Sequence, residues 1–245
     1  MDKLLKMERY QLVHNSIYWC SMIGIFVLGL FTADSYVMEV MGPTGGIAYS
    51  LADIFNGIVY DSTFLLIIIS GILALIFGQE FSKRTINLEV SAGHSRKQIF
   101  TSKIISYLTA FNIMALVYPA AGCIREFGRF GIEDIGIFFY SIIKAIVYSC
   151  LLNSAIFLIA IFICCCLQDH VKAASATAII VFGLSLYLGY GMMLKLPVDF
   201  LPTYQIRIAV SMKSFIRPGA VLTGVTWSVI LVMLSWIKFS KCDFK

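Results

Sequence analysis

Apolar residues gather along this chain in six long runs separated by short polar segments. The runs cover about 17–33, 62–79, 104–122, 145–167, 173–194 and 219–237. A helix of roughly 20 residues crosses the hydrocarbon core of a bilayer, so the pattern predicts six membrane-spanning helices. The fourth run could be drawn from Gly136. It would then measure about 48 Å at 1.5 Å per residue, against a core of about 30 Å. Residues 136–144 are therefore placed at the interface, with Lys144 snorkelling to the headgroups. Between the last two runs, "KLPVDFLPTYQIRIAVSMKSFIRPG" carries Pro197, Pro202 and Pro218 and never reaches spanning length. It reads either as a short re-entrant helix pair or as an ordinary outer loop.

Composition narrows the class. Of 245 residues, 59% are hydrophobic and 13% charged, where soluble domains carry about 25% charged residues. Too few polar residues remain to cover a water-facing surface. The fold class expected is an all-α membrane protein, with a single membrane domain over residues 1–245 and no soluble catalytic domain. The basic start "MDKLLKMERYQLVHNSIYW" precedes an apolar run without an A-x-A-like end, so it reads as a retained first span rather than a cleaved signal. Met1, Leu4, Leu5 and Leu12 share an arc of about 100°, which predicts an amphipathic N-terminal helix in the headgroup plane. Glu8 interrupts its apolar face.

Charge sets the orientation. Six spans put both termini on one side. With the termini inside, twelve Lys and Arg lie inside and six outside (Arg125, Arg129, Lys195, Arg207, Lys213 and Arg217), Lys144 being set aside. The first outer loop holds only acids: Asp34, Glu39, Asp53 and Asp61. The positive-inside rule then places the termini in the cytoplasm.

The densest charge lies in "FGQEFSKRTINLEVSAGHSRKQIF", residues 77–100. Glu80 can pair with Lys83 or Arg84 at i+3 and i+4. Gly93 fits a left-handed helix stop, and Ser95 with Gln98 matches a capping box. The stretch reads as helix, glycine break and capped helix, a structured elbow rather than a loose loop.

Most catalytic signatures are absent from the sequence. There is no G-x-x-x-x-G-K-[ST] phosphate loop and no H-E-x-x-H, and no G-x-S-x-G. His14, His94 and His170 are far apart, and the seven cysteines form no C-x-x-C pair. The neighbours Glu133 and Asp134 read as solvated loop residues. Cys164, Cys165 and Cys166 read as small hydrophobes. Within the spans, Asn112, Asn153, Ser154, Ser175 and Thr177 could line a path or hydrogen-bond helices together, and Pro119 could kink the third span. Ala173, Ala174, Ala176, Ala178 and Gly183 suit close helix packing, inside the chain or at a dimer seam.

Glu80, Thr85-Ile86, Gly93-x-Ser95-Arg96-Lys97 and Lys103 together resemble the segment after the second span in permeases of type-2 ATP-binding-cassette exporters. The N-terminal elbow, six spans and a re-entrant region before the last span are similar to the plan of that family. Within that family, the chain is similar in size to the short permeases of bacterial antimicrobial-peptide export and immunity systems. Arg84 departs from the pattern, since many relatives carry a small residue there. The resemblance implies a coupling helix that docks an ATPase through Glu80, Lys83, Arg84, Thr85, Gly93, Ser95, Arg96 and Lys97. It implies a second permease copy or related chain, and among the polar residues within the spans Asn112, Asn153 and Ser154 are the candidates for its translocation path. ATP and magnesium would sit on the partner ATPase, with no cofactor or metal in this chain. Membrane lipids and a peptide substrate are further partners expected, and nucleic acid is not. The location implied is the bacterial cytoplasmic membrane. A non-transporting immunity or sensor scaffold that binds a peptide is the alternative. An ion-coupled carrier is disfavoured, because the spans hold almost no ionisable residues.

Overall fold

The computed structural model describes residues 2–38, 48–132, 134–212 and 216–242. Met1, Glu39, Glu133, Lys213 and Lys245, which entered the charge and amphipathicity arguments above, lie outside the described residues. Among the described residues the chain forms α1 (Asp2–Val13), α2 (Ser16–Met38), α3 (Leu51–Tyr60), α4 (Thr63–Ser82), α5 (Thr85–Ser91) and α6 (Arg96–Phe130). It continues through α7 (Ile135–Tyr148), a π-helical turn (Ser149–Asn153), α8 (Ser154–Leu167), α9 (His170–Leu194), α10 (Pro202–Ser211) and α11 (Pro218–Ser240).

Six of these segments are long and apolar enough to cross a membrane: α2, α4, α6, the α7–π–α8 unit, α9 and α11. The chain is a multi-pass α-helical membrane protein. Each predicted run coincides with one of them, the second beginning at Ser62, the residue before α4. The third and fourth extend furthest beyond their runs, to 35 and 33 residues. For the fourth, residues 136–144 belong to one continuous helical unit with the rest of the run. They continue through the π turn into α8, where one extra residue per turn lets the helix run on without a break. Lys144 does not snorkel. It is buried and donates to the Met212 carbonyl, so the ammonium finds its acceptor inside the protein.

Two short helices escape a reading based on length. The stretch after the first span holds α3, which starts at a capping box between Ser50 and Asp53. Leu51, Ile54, Phe55, Ile58 and Val59 bury its apolar face, and it packs against α6 and α7. The proline-rich stretch holds α10, with Pro202 at its first turn, where a missing N–H costs nothing. Ile206, Ala209 and Val210 are buried against α3, α7 and α11. So residues 202–211 form a packed helix, not an exposed loop. Arg207 secures it: its Nε donates to the Tyr60 carbonyl at 3.2 Å and its guanidinium lies 3.7 Å from Asp61.

The largest cluster of buried apolar side chains joins α2, α4, α6, α8, α9 and α11. Phe111 of α6 stacks on Phe157 of α8 with ring centroids 4.6 Å apart. Of the small residues of the fifth span, Ala173 is buried and Ala176 and Ala178 are half-buried in α9, which lies along α4, whereas Gly183 is exposed. Ala173, Thr177 and Val181 are buried at four-residue spacing, one above another on a single helix face. Pro119 is accommodated inside α6, which runs unbroken to Phe130.

Candidate functional site

The charged elbow has the predicted glycine break and capping box, with a further break at Lys83–Arg84 that divides its first helix. α4 ends at Ser82, Arg84 takes a left-handed conformation (φ 57°), and α5 begins at Thr85. The Thr85 hydroxyl donates back to the Glu80 carbonyl at 3.1 Å. Gly93 is left-handed (φ 88°) after α5, a conformation glycine adopts without a Cβ penalty. Ser95 and Gln98 make both bonds of the capping box that starts α6.

The partner of Glu80 differs from the expected one. Glu80 does not pair with Lys83 or Arg84. It turns inward and contacts Lys103, on the second turn of α6. Lys103 is 1% exposed and also meets Glu8 of α1 at 2.7 Å and Glu89 of α5 at 2.9 Å. The Tyr107 hydroxyl, one turn along α6, donates to the other Glu80 oxygen at 2.5 Å. One ammonium therefore joins three carboxylates from three different helices. The reason is solvation. A lysine on the inner face of α6 has no water near it, so it must be paired. The surface pair at i+4 would have been worth about 0.3–0.5 kcal/mol, far less than the cost of leaving Lys103 unpaired.

Glu8 is thus the centre of the N-terminal helix rather than a flaw in it. It is fully buried, between the buried Leu4 and Leu12. Three carboxylates around one lysine leave excess negative charge in a dry place. Burial, with the Glu80 carboxylate second, pushes the Glu8 carboxyl up to about 7 against the pull of Lys103. Burial also raises Glu89, opposed by the same lysine. A docked α1 thus holds a proton that an undocked one releases above its ordinary value of 4.5. Docking is fully favoured below about pH 4.5 and weakens as pH rises through about 7. Amide exchange over residues 2–13, corrected for intrinsic rate, should be slower at pH 5 than at pH 8. Glu8→Gln should flatten that difference.

The remaining docking candidates divide by where they point. Arg96 also turns inward, with Nη1 donating to the Ser240 carbonyl at the end of α11. Lys83, Arg84, Gly93, Ser95 and Lys97 are exposed, and Thr85 is half-buried. Leu88 is 69% exposed among them, while Ile86 and Glu89 hold the opposite face of α5 against the protein. The result is a short helix outside the spans with an apolar knob, a basic surround and an inner face fixed to α4 and α6.

Of the path candidates, Asn112 and Ser154 come together. The Asn112 amide donates to Ser154 Oγ at 2.9 Å, and that hydroxyl donates back at 3.2 Å. The pair links α6 to α8. Asn153 is apart from it, buried in the π turn, with its amide donating to Ser149 at 3.0 Å. Asp134 is exposed, as a solvated loop residue would be, and also caps α7 by accepting from the Gly136 and Ile137 amides.

Tyr107, Glu8 and Glu89 carry no functional role in the sequence reading, and Lys103 enters it as an inside basic residue and as part of the family resemblance, not as the partner of Glu80. The available signal was that six spans bring Glu8, Glu80, Glu89 and Lys103 to the same side, with Tyr107 one turn from the lysine. The family model described as ABC-2 family transporter protein matches residues 4–184, which include most of α1, the cluster and the α5 elbow. No curated protein matches the chain significantly.

Proposed function

The chain belongs to the ABC-2 transporter family and is a transmembrane ABC permease that works with an ABC ATPase subunit; from that premise we propose that it is the path-forming half of an ATP-driven exporter docked through α5. The observation that carries this reading is the contrast between the exposed Leu88 of α5, flanked by the exposed Lys83 and Arg84 before the helix and Lys97 at the start of α6, and an inner face of α5 tied through Glu89 to Lys103. An apolar knob within a basic rim suits a groove with an acidic border. ATP and magnesium act on the partner, and both termini lie in the cytoplasm with it, in the bacterial cytoplasmic membrane. Two permease chains, identical or related, enclose the path.

The inner face supplies the transmission. A displacement of α5 moves Glu89, and Lys103 passes the shift to the start of α6, the end of α4 and α1 together. The Asn112–Ser154 pair carries the shift of α6 to α8, and Arg96 links the start of α6 to the end of α11. This is rigid-body motion of helices joined by short polar contacts. A path within the membrane suits an amphipathic or lipidic cargo, such as an antimicrobial peptide.

The test separates the two faces. Lys83→Glu, Arg84→Glu and Lys97→Glu together should weaken co-purification of the ATPase by about tenfold or more, since like charges meeting at an interface cost at least about 1.4 kcal/mol. Asn112→Leu, remote from α5, should leave co-purification intact and lower cargo-stimulated ATP hydrolysis. Unchanged co-purification in the triple variant, at normal expression, would sink the docking reading.

A further inference from the structure

A groove of about 590 Å³ opens between α1, α2 and α6, away from the carboxylate cluster. That volume is within the usual range of small-molecule sites, about 300–1,000 Å³. One wall is a stripe of α6, where Ile105, Thr109 and Ile113 recur at four-residue spacing, all exposed. The stripe runs along the span for about 12 Å. The Thr109 hydroxyl donates to the Ile105 carbonyl at 2.7 Å, so the wall presents little free polarity. Trp19 faces it from the start of α2, its indole N–H donating to the Val13 carbonyl at 2.6 Å. That bond fixes the ring across the α1–α2 junction, at the end of a membrane span.

Charge distinguishes this groove from an ordinary lipid-facing surface. Arg9 lies on its rim and is exposed. The neighbouring carboxylate, Glu8, faces Lys103 instead. Arg9 makes no ion pair among the described residues. Lys3 and Lys6 add exposed positive charge along the same helix. An unengaged guanidinium at the mouth of an apolar slot matches one kind of molecule, an amphiphile with an anionic head and a hydrocarbon tail. We propose that the groove holds an anionic phospholipid of the adjoining leaflet, its phosphate on Arg9 and one acyl chain along Ile105, Thr109 and Ile113. Arg suits the headgroup because its planar fork pairs with phosphate oxygens two at a time. Bound there, the lipid braces α1 against α6 from the side opposite Glu8.

Trp19 provides a local probe, since the chain has three tryptophans and Trp227→Phe with Trp236→Phe leaves it alone. The full-length double variant would be reconstituted in phosphatidylcholine nanodiscs. Brominated-chain phosphatidylglycerol and brominated-chain phosphatidylcholine would be added at equal mole fractions. Phosphatidylglycerol should quench Trp19 with about fivefold higher apparent affinity, the worth of one basic residue at an anionic surface. Arg9→Gln should abolish that preference, and Thr109→Phe should reduce quenching by both lipids. Equal quenching by the two lipids before Arg9 is changed, or a preference that survives Arg9→Gln, would overturn the proposal. So would a groove closed by a second copy of the chain, seen as no quenching by either lipid.

Discussion

Lys103→Met should destabilise the protein by about 3–5 kcal/mol, the range for removing one partner of a buried ion pair. Few single changes outside the core could cost as much. The methionine fills most of the space, so the loss is electrostatic rather than steric. It leaves Glu8, Glu80 and Glu89 facing one another with no counter-charge. Thermal unfolding in detergent should fall by roughly 10 °C for a chain of this size. The loss should be smaller at pH 5 than at pH 8, because protons can then neutralise the carboxylates that Lys103 no longer serves. Lys103→Arg should fall between the two. It keeps the charge but forces a larger planar group into a filled site. A Lys103→Met protein that melts like the parent at both pH values would mean that the three carboxylates are solvated.

Gly78→Ala should cost about 1–3 kcal/mol, as overpacking does in well-filled interiors. A Cβ on Gly78 would lie 2.6 Å from the Cα of His170. The obstacle is backbone, so no side-chain rotation relieves it, and α9 must move away from α4. Gly71 provides the control on the same helix. Its nearest neighbour to an added Cβ is the Ala178 methyl at 4.0 Å, an ordinary contact. Gly71→Ala should be neutral or stabilising by up to about 1 kcal/mol from helix propensity. Parallel melting curves for the two variants decide the matter. Equal behaviour would show that α4 and α9 do not meet as closely at Gly78 as the structure has it.

The two effects concern the same end of the molecule. Gly78 lies two residues before Glu80, so α9 approaches α4 just where α4 joins the carboxylate cluster. His170 is tied there as well, with its ring nitrogen 3.1 Å from the Ser82 hydroxyl. Under the proposed docking at α5, this end would move as a unit.

Much of this protein follows from its sequence alone. The six spans follow from run length, because an apolar helix of about 20 residues has no other place to go in a chain with so little charge. The elbow is largely local: Gly93 turns left-handed without a Cβ penalty, and Ser95 with Gln98 caps the next helix through bonds that span three residues. What the sequence could not decide was partner choice. Glu80 has two basic residues within one turn of helix, and a local rule selects them. Only the tertiary structure brings Lys103 nearer, in a dry site where an unpaired charge costs far more than a surface pair returns. The same holds for Glu8, which looks like a fault in an apolar stripe until α6 supplies its counter-charge. It holds for α3 and α10, too short to declare themselves by length and stabilised by the faces they bury. Local bonds are set by spacing along the chain, whereas buried charges are set by what the fold leaves within reach.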